Sequence, residues 1–322
     1  MPAVPPEKLH PNFVHLSTSP NFSPARGLIR ELSFAFKDRD GNYRKDFQTT
    51  GFDGRLWELY LYGYFYEQKF LIDDSQAVPD FLGEKGGIRI AVEAVTVNPT
   101  PGVTAPQPQS KVEEFALSAA YMPIKWGSVL TSKLAKKYWE KPQVAGLPLA
   151  FAIHDFHGPG TLLWSLHSLS DYLFGLRNQE DGQDVPVESH THGAKVIPSG
   201  FFQLPGAENI SAVIASNEAT LPKFNRMGQI AGFGDPAIRM KRIGAQLDLA
   251  TMAVTGFETT TQRGVANESW STGIWVFHNP HARLPIPYDL FDGSLNVFLR
   301  GGERHSLSTR QVHVLRSVTK FN

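Results

Sequence analysis

From Asp53 to about Phe70 the chain reads Asp-Gly-Arg-Leu-Trp-Glu-Leu-Tyr-Leu-Tyr-Gly-Tyr-Phe-Tyr-Glu-Gln-Lys-Phe, a stretch free of proline and apolar on nearly every side. A helix apolar all round is a buried helix, so the remaining chain has to enclose it. The material is there: 322 residues, 41% hydrophobic, 11% aromatic and only 19% charged, a composition that excludes disordered, collagen-like and coiled-coil classes. The length fits one large domain or two ordinary ones. With 31 Lys+Arg against 31 Asp+Glu the formal net charge is zero, so overall charge names no partner. The absence of cysteine excludes disulfides, thiolate zinc sites, iron–sulfur clusters and cysteine nucleophiles. It is compatible with a reducing compartment, and a cytoplasmic location is expected. The start, Met1-Pro2-Ala3-Val4-Pro5-Pro6-Glu7, lacks the basic and apolar regions of a signal peptide. No apolar run approaches the roughly 20 residues that span a bilayer, so no membrane partner is expected.

Residues 1–26, rich in Pro, Ser and Asn, read as a surface arm. Leu28 to Phe36 shows mixed alternation before Asp38-Arg39-Asp40-Gly41-Asn42, which predicts a strand, a turn and a returning strand near Tyr43 to Phe47. After the apolar helix, short strands are expected at Leu71-Ile72, Pro79 to Leu82 and Ile88 to Val97, the last because it is dense in β-branched residues. The proline-rich run from residue 98 to 111 reads as a loop. A helix is expected from Gly127 to about Lys141, with Leu130, Leu134 and Tyr138 four apart and Pro142 ending it. A buried strand at Leu147 to Phe156, an apolar helix from Gly160 to Gly175 and a polar insertion from Asn178 to Lys195 follow. Beyond them come strands at Ile210 to Ala215, Gly273 to Phe277 and Leu295 to Leu299, with a basic segment from Lys223 to Arg242. Alternating strands and helices argue for an α/β core.

Several chemistries are excluded by inspection, since the chain has no G-x-x-x-x-G-K, G-x-G-x-x-G, H-E-x-x-H or G-x-S-x-G. What remains is a set of acids in apolar surroundings. Glu58 lies inside the apolar helix, Glu93 interrupts the β-branched strand, and Asp80 follows Pro79 at the start of another strand. A lone buried carboxylate is costly, so such groups take a partner, coordinate a metal or stay protonated. Acids on adjacent short strands can converge at a sheet edge, and hard oxygen ligands of that kind suit Mg²⁺ or Mn²⁺. The plainer reading of each acid alone is a salt bridge or a strand end.

At these residues the chain resembles the PD-(D/E)XK nucleases, the restriction-endonuclease-like superfamily. Their pattern is an acid in a first helix, Pro-Asp opening a strand, a spacer, then acid-x-Lys on the next strand, a helix and a strand. Here Glu58, Pro79-Asp80-Phe81 and Glu93-Ala94-Val95 match it between residues 50 and 158. The resemblance implies an α/β fold with a restriction-endonuclease-like mixed central sheet flanked by helices and with N- and C-terminal extensions. It also implies metal held by Asp80 and Glu93, with Glu58 orienting water or a second metal. Val95 stands where the pattern has lysine and can neither orient water nor stabilise negative charge. In some members the lysine moves to the following helix, which here offers Lys133 or Lys137.

Farther along, Ile210-Ser211-Ala212-Val213 with Lys223-Phe224-Asn225-Arg226-Met227-Gly228 resembles a segment of a group of uncharacterised bacterial proteins. Lys223 and Arg226, with Arg239, Lys241 and Arg242, supply positive charge among aromatics, as a phosphate-contacting surface requires; scattered surface bases are the plainer alternative. His190-Thr191-His192 reads as a solvated loop, and nothing in the sequence places His154, Asp155 or Asn279-Pro280-His281 at the acids. The domain reading is an N-terminal arm and hairpin at 1–48, a nuclease-like core at 49–158, and an extension or substrate-binding lobe at 159–322. The function expected is Mg²⁺-dependent phosphodiester hydrolysis of nucleic acid, with DNA favoured. The competing class is a binding or structural protein that kept the fold and lost the lysine.

Overall fold

The computed structural model describes residues 4–38, 41–158, 160–178, 183–265 and 268–321. Four helices come first, α1 (Pro11–Thr18), α2 (Ser23–Ala35), α3 (Tyr43–Gln48) and α4 (Phe52–Glu67). Then follow β1 (Leu71–Asp73), β2 (Phe81–Lys85), β3 (Ile88–Val97), α5 (Lys111–Leu134), β4 (Leu149–Asp155) and α6 (His167–Phe174). Next are the small hairpins β5 (Leu176–Asn178) with β6 (Asp184–Pro186) and β7 (Ser189–His192) with β8 (Lys195–Pro198). The chain continues through β9 (Ala212–Ser216), α7 (Leu221–Ile230), β10 (Met240–Asp248) and β11 (Val254–Thr261). It ends with β12 (Ile274–His278), β13 (Leu295–Arg300), β14 (Glu303–Leu307) and β15 (Val312–Phe321). These elements fall into two units, one of residues 1–77, 218–273 and 310–322, the other of 78–217 and 274–309.

The second unit is a large mixed sheet in the order β2-β3-β4-β9-β12-β13-β14, flanked by helices. β3, β4 and β9 run parallel, with β2 antiparallel to β3 and β12 antiparallel to β9. All 7 residues of β4 (Leu-Ala-Phe-Ala-Ile-His-Asp) are buried. A strand covered on both faces belongs in the middle of such a sheet, which is where it sits. Because β3 and β4 are parallel, the chain must cross over one face to join them, and α5 is that crossover. It packs on α6, where Trp126 Nε1 donates to Ser168 Oγ at 3.1 Å. The hairpin β7–β8 covers α5 at Gly127, where an added Cβ would stand 2.6 Å from Ile197 Cδ1.

α5 starts at Lys111 rather than near Gly127. The signal is local: Ser110 Oγ accepts from the Glu113 N–H at 3.2 Å, and the Glu113 carboxylate accepts from the Gln109 N–H at 2.7 Å. Pro123 in the middle of the helix masks that start in the sequence. The helix also ends earlier, at Leu134; Tyr138–Glu140 form a separate 3-10 turn.

In the first unit α4 is the buried helix its composition requires, with Leu56, Trp57, Leu59, Tyr60, Leu61 and Tyr64 at 0–2% exposure. Tyr60 donates its hydroxyl to Trp270 O at 2.7 Å and packs edge-on against the Trp270 ring. The strand expected from Leu28 to Phe36 and the returning strand from Tyr43 to Phe47 are helices α2 and α3; residues 39 and 40 of the expected turn lie outside the described residues. The helix is explained by Pro24 in the first turn and by Ala25, Leu28 and Ile29, which form one buried stripe. An antiparallel sheet, β11-β10-β15, completes the unit.

α7 lies so close to α2 that a Cβ at Gly228 would stand 2.3 Å from the carbonyl oxygen of Pro24. Gly228→Ala is expected to lower the unfolding free energy by about 3 kcal/mol in urea titrations, since backbone has to move to admit it. Gly54→Ala on α4, where an added Cβ meets nothing within 4 Å, should instead stabilise by about 0.5–1 kcal/mol.

Candidate active site

Phe81 on β2 pairs with Val92 on β3, so the residue before Phe81, Asp80, comes alongside Glu93. The Asp80 carboxylate accepts from the backbone N–H of Ala94 at 2.7 Å. Glu93 is 6% exposed in the middle of β3, and two donors meet its Oε1: Lys133 Nζ at 2.5 Å and Tyr138 Oη at 2.6 Å. Lys133 stands in the last turn of α5, and its ammonium also lies 5.9 Å from the Tyr138 ring centroid. Tyr138 is buried at 3% exposure. Burial, then its bond to Glu93 and the negative charges of Glu93 and Asp80, hold its phenol far above the ordinary range, so the hydroxyl stays protonated and donates. Val95, two residues past Glu93 on the same strand face, is 2% exposed and carries no polar atom to this site.

The structure thus brings Asp80, Glu93 and Lys133 together and adds Tyr138, which in the sequence reads only as part of the apolar stripe with Leu130 and Leu134. Lys137 is elsewhere: it has left the helix, adopts a left-handed conformation with φ 48°, is 60% exposed and pairs with Glu140 at 3.4 Å. Glu58 sits on α4 in the first unit, where Arg55 holds its carboxylate at 2.9 Å and also bonds Asp46 at 2.9 Å. Its place in an apolar helix is explained by that pairing.

As donors, Asp80 and Glu93 are hard oxygen ligands, and both bonds to the Glu93 carboxylate fall on Oε1, leaving Oε2 for a cation. Among the described residues no group of three or more His, Asp or Glu side chains is arranged to hold a metal. Two carboxylates with water completing the shell is the Mg²⁺ pattern, so the residues fit that ion better than one needing a full protein cage.

Lys223 and Arg226, expected on a phosphate-contacting surface, are buried in the first unit. Lys223 is 0% and Arg226 2% exposed, within a network with Glu218, Glu268 and Arg242. Arg226 bonds Glu268 through Nε at 2.8 Å and Glu218 through Nη2 at 3.0 Å, and Lys223 Nζ reaches Glu268 at 2.7 Å. Arg242 contacts both acids, at 3.0 Å and 3.2 Å. Lys223, Arg226 and Arg242 therefore turn inward to neutralise buried carboxylates, whereas Arg239 stays exposed and donates to Pro236 O, and Lys241 pairs with Glu258 at the surface. Of the two histidines in the expected solvated loop, His192 is exposed at the end of β7, but His190 is 2% exposed and bonds Ala119 O at 3.0 Å and Ser199 Oγ at 2.8 Å, pinning β7 to α5. Asn279 donates to Ala207 O and Ile210 O, a structural pin. Asp155, at the end of β4, holds His157 through Nδ1 at 2.5 Å. Compared with known protein families, curated proteins and solved structures, the chain matches none.

The network makes stability depend on pH with a definite sign. Burial alone would raise Glu218 and Glu268, but the neighbouring Arg and Lys charges outweigh it and hold both below their ordinary value of 4.5. Their contribution is complete above 4.5 and is lost as the pH falls through the folded-state values. Burial brings Lys223 down to about 8 from 10.5, so the unfolded chain holds more protons between those values and stability rises with pH across that window. Chemical denaturation at a series of pH values should show both limbs. Glu268→Gln should flatten the acid limb and cost about 3–5 kcal/mol at neutral pH, because Lys223 and Arg226 lose their counter-charge.

Proposed function

We propose that this protein is a Mg²⁺- or Mn²⁺-dependent phosphodiesterase of restriction-endonuclease-like fold, acting on nucleic acid, with DNA as the favoured substrate and the cytoplasm as its setting. The observation that carries this reading is the 2.5 Å contact between Lys133 Nζ and Glu93 Oε1, which delivers a cation from the following helix to the acid strand whose own lysine position is Val95. The order of elements supports it: an acid-bearing helix, α4, then β1, β2 and β3, a crossover helix, α5, and the parallel strand β4. No helix among the described residues is long and apolar enough to cross a membrane.

Asp80 and Glu93 would hold the metal, which when bound supplies Lewis-acid polarisation of a phosphoryl oxygen and a more acidic water. Lys133 then has two uses: it neutralises Glu93 before substrate arrives, and it stands ready to stabilise negative charge developing on the phosphate oxygens. A long, flexible ammonium suits that exchange of partners. Tyr138, kept protonated, anchors the carboxylate while Lys133 changes partner. The net charge of zero means the nucleic acid is gripped by a local patch, so affinity should have a shallow salt dependence.

One observation favours the second reading, a binding or structural protein of the same fold: the charge of Glu93 is already balanced by Lys133. Calorimetry separates the two. The nuclease reading expects Mg²⁺ or Mn²⁺ binding that Asp80→Ala and Glu93→Gln abolish, and metal-dependent cleavage of plasmid DNA. Lys133→Ala should slow cleavage about 10²–10³-fold with the fold intact. Val95→Lys in that background should restore cutting in part, at a cost of several kcal/mol because residue 95 is buried. Weak, equal metal binding in parent and Asp80→Ala, with no cleavage, would leave the second reading standing.

A further inference from the structure

Tyr138 and Lys133 both donate to the same atom, Glu93 Oε1, and Tyr138 does so from a buried position. An oxygen that accepts two strong donors has little left to offer a metal. With Oε1 engaged, Glu93 can meet a cation through Oε2 alone, as a monodentate ligand. That distinction matters between the two abundant divalent cations. Ca²⁺ takes six to eight oxygens and readily uses both oxygens of a carboxylate, whereas Mg²⁺ demands a small octahedral shell in which each carboxylate gives one oxygen and water gives the rest.

We propose that Tyr138 is the specificity-determining residue for the cation: by occupying Glu93 Oε1 it keeps the Asp80–Glu93 pair selective for Mg²⁺ over Ca²⁺. This rests on the reading of Asp80 and Glu93 as the metal-holding pair. Lys133 assists, but its side chain is 23% exposed on a flexible stem and can withdraw, while the buried phenol is fixed by the 3-10 turn Tyr138–Glu140 and by its edge-on packing against Phe151. Tyr138 does not touch substrate; it acts through Glu93 and is a positioning residue.

The test is isothermal titration of the full-length protein with MgCl₂ and with CaCl₂, for the parent, Tyr138→Phe, Lys133→Met and Glu93→Gln, with circular dichroism to check folding. Tyr138→Phe keeps the ring and removes only the donor. It should shift the ratio of Ca²⁺ to Mg²⁺ affinity toward Ca²⁺ by about tenfold. Lys133→Met, which removes the second donor, should shift it in the same direction, and it decides the matter if Tyr138→Phe does not fold. A ratio unchanged in the variants, with binding lost in Glu93→Gln, would overturn the role of Tyr138 and leave the metal pair in place. Binding absent from the parent, or equal in parent and Glu93→Gln, would overturn both.

Discussion

The parallel pairing of β3 with β4 is the constraint from which the candidate site follows. Two parallel neighbours cannot be joined by a tight turn, so the chain must cross a face of the sheet, and α5 makes that crossing. Its last turn thereby comes down over the acid strand, carrying Lys133 onto Glu93. On the other side of β3, antiparallel pairing with β2 fixes which residue lies beside Glu93. A slip by one would turn Glu93 to the opposite face of the sheet, away from Lys133 and Tyr138. Sheet geometry and crossover together set the Asp80–Glu93–Lys133 arrangement before any local preference of those residues enters.

The two units bury charge in different ways. In the first unit Glu218 and Glu268 are met by Lys223, Arg226 and Arg242, with Ser317 donating to Glu218 and Arg226 donating to Thr319. Such a network is multiply bonded and closed on itself, so breaking it is costly and opening it to a ligand is costlier. In the second unit Glu93 is met by one lysine on a partly exposed stem and one phenol, both on a single oxygen. That leaves both donors on one carboxylate oxygen, with a partly exposed ammonium as one of them. Burial alone does not distinguish these acids; the number of donors that hold each one does.

Much of the second unit was legible in the chain. The β-branched run from Ile88 to Val97, the apolar Leu149 to Asp155 and the proline-rich stretch between Val97 and Lys111 each carry their own local signal, and each falls where that signal puts it. The buried α4 follows from an apolar surface with no face for water. The early part of the first unit was not legible, since α2 and α3 are short segments whose mixed apolar pattern fits either period; the helix prevails because Pro24, Ala25, Leu28 and Ile29 pack as one stripe. β10, β11 and β15 were missed because most of their side chains are half-buried or exposed, which leaves little alternation to read.

For the acids, the sequence by itself determined that Glu58 and Glu93 needed a partner, a metal or a proton, because a lone ionised carboxylate in apolar surroundings is too costly to keep. Which partner each took was decided only by the tertiary structure. Glu58 found Arg55 within its own helix, while Glu93 found Lys133 and Tyr138, 40 and 45 residues away. The same holds for the bases. Lys133 and Lys137 are equivalent in sequence, yet the helix ends between them at Leu134, so one reaches the acid strand and the other points to water. Lys223 and Arg226 read as surface charge, but Glu218 and Glu268 drew them inside. Residue type sets what a side chain must have; the crossover, the register and the helix end set what lies within its reach.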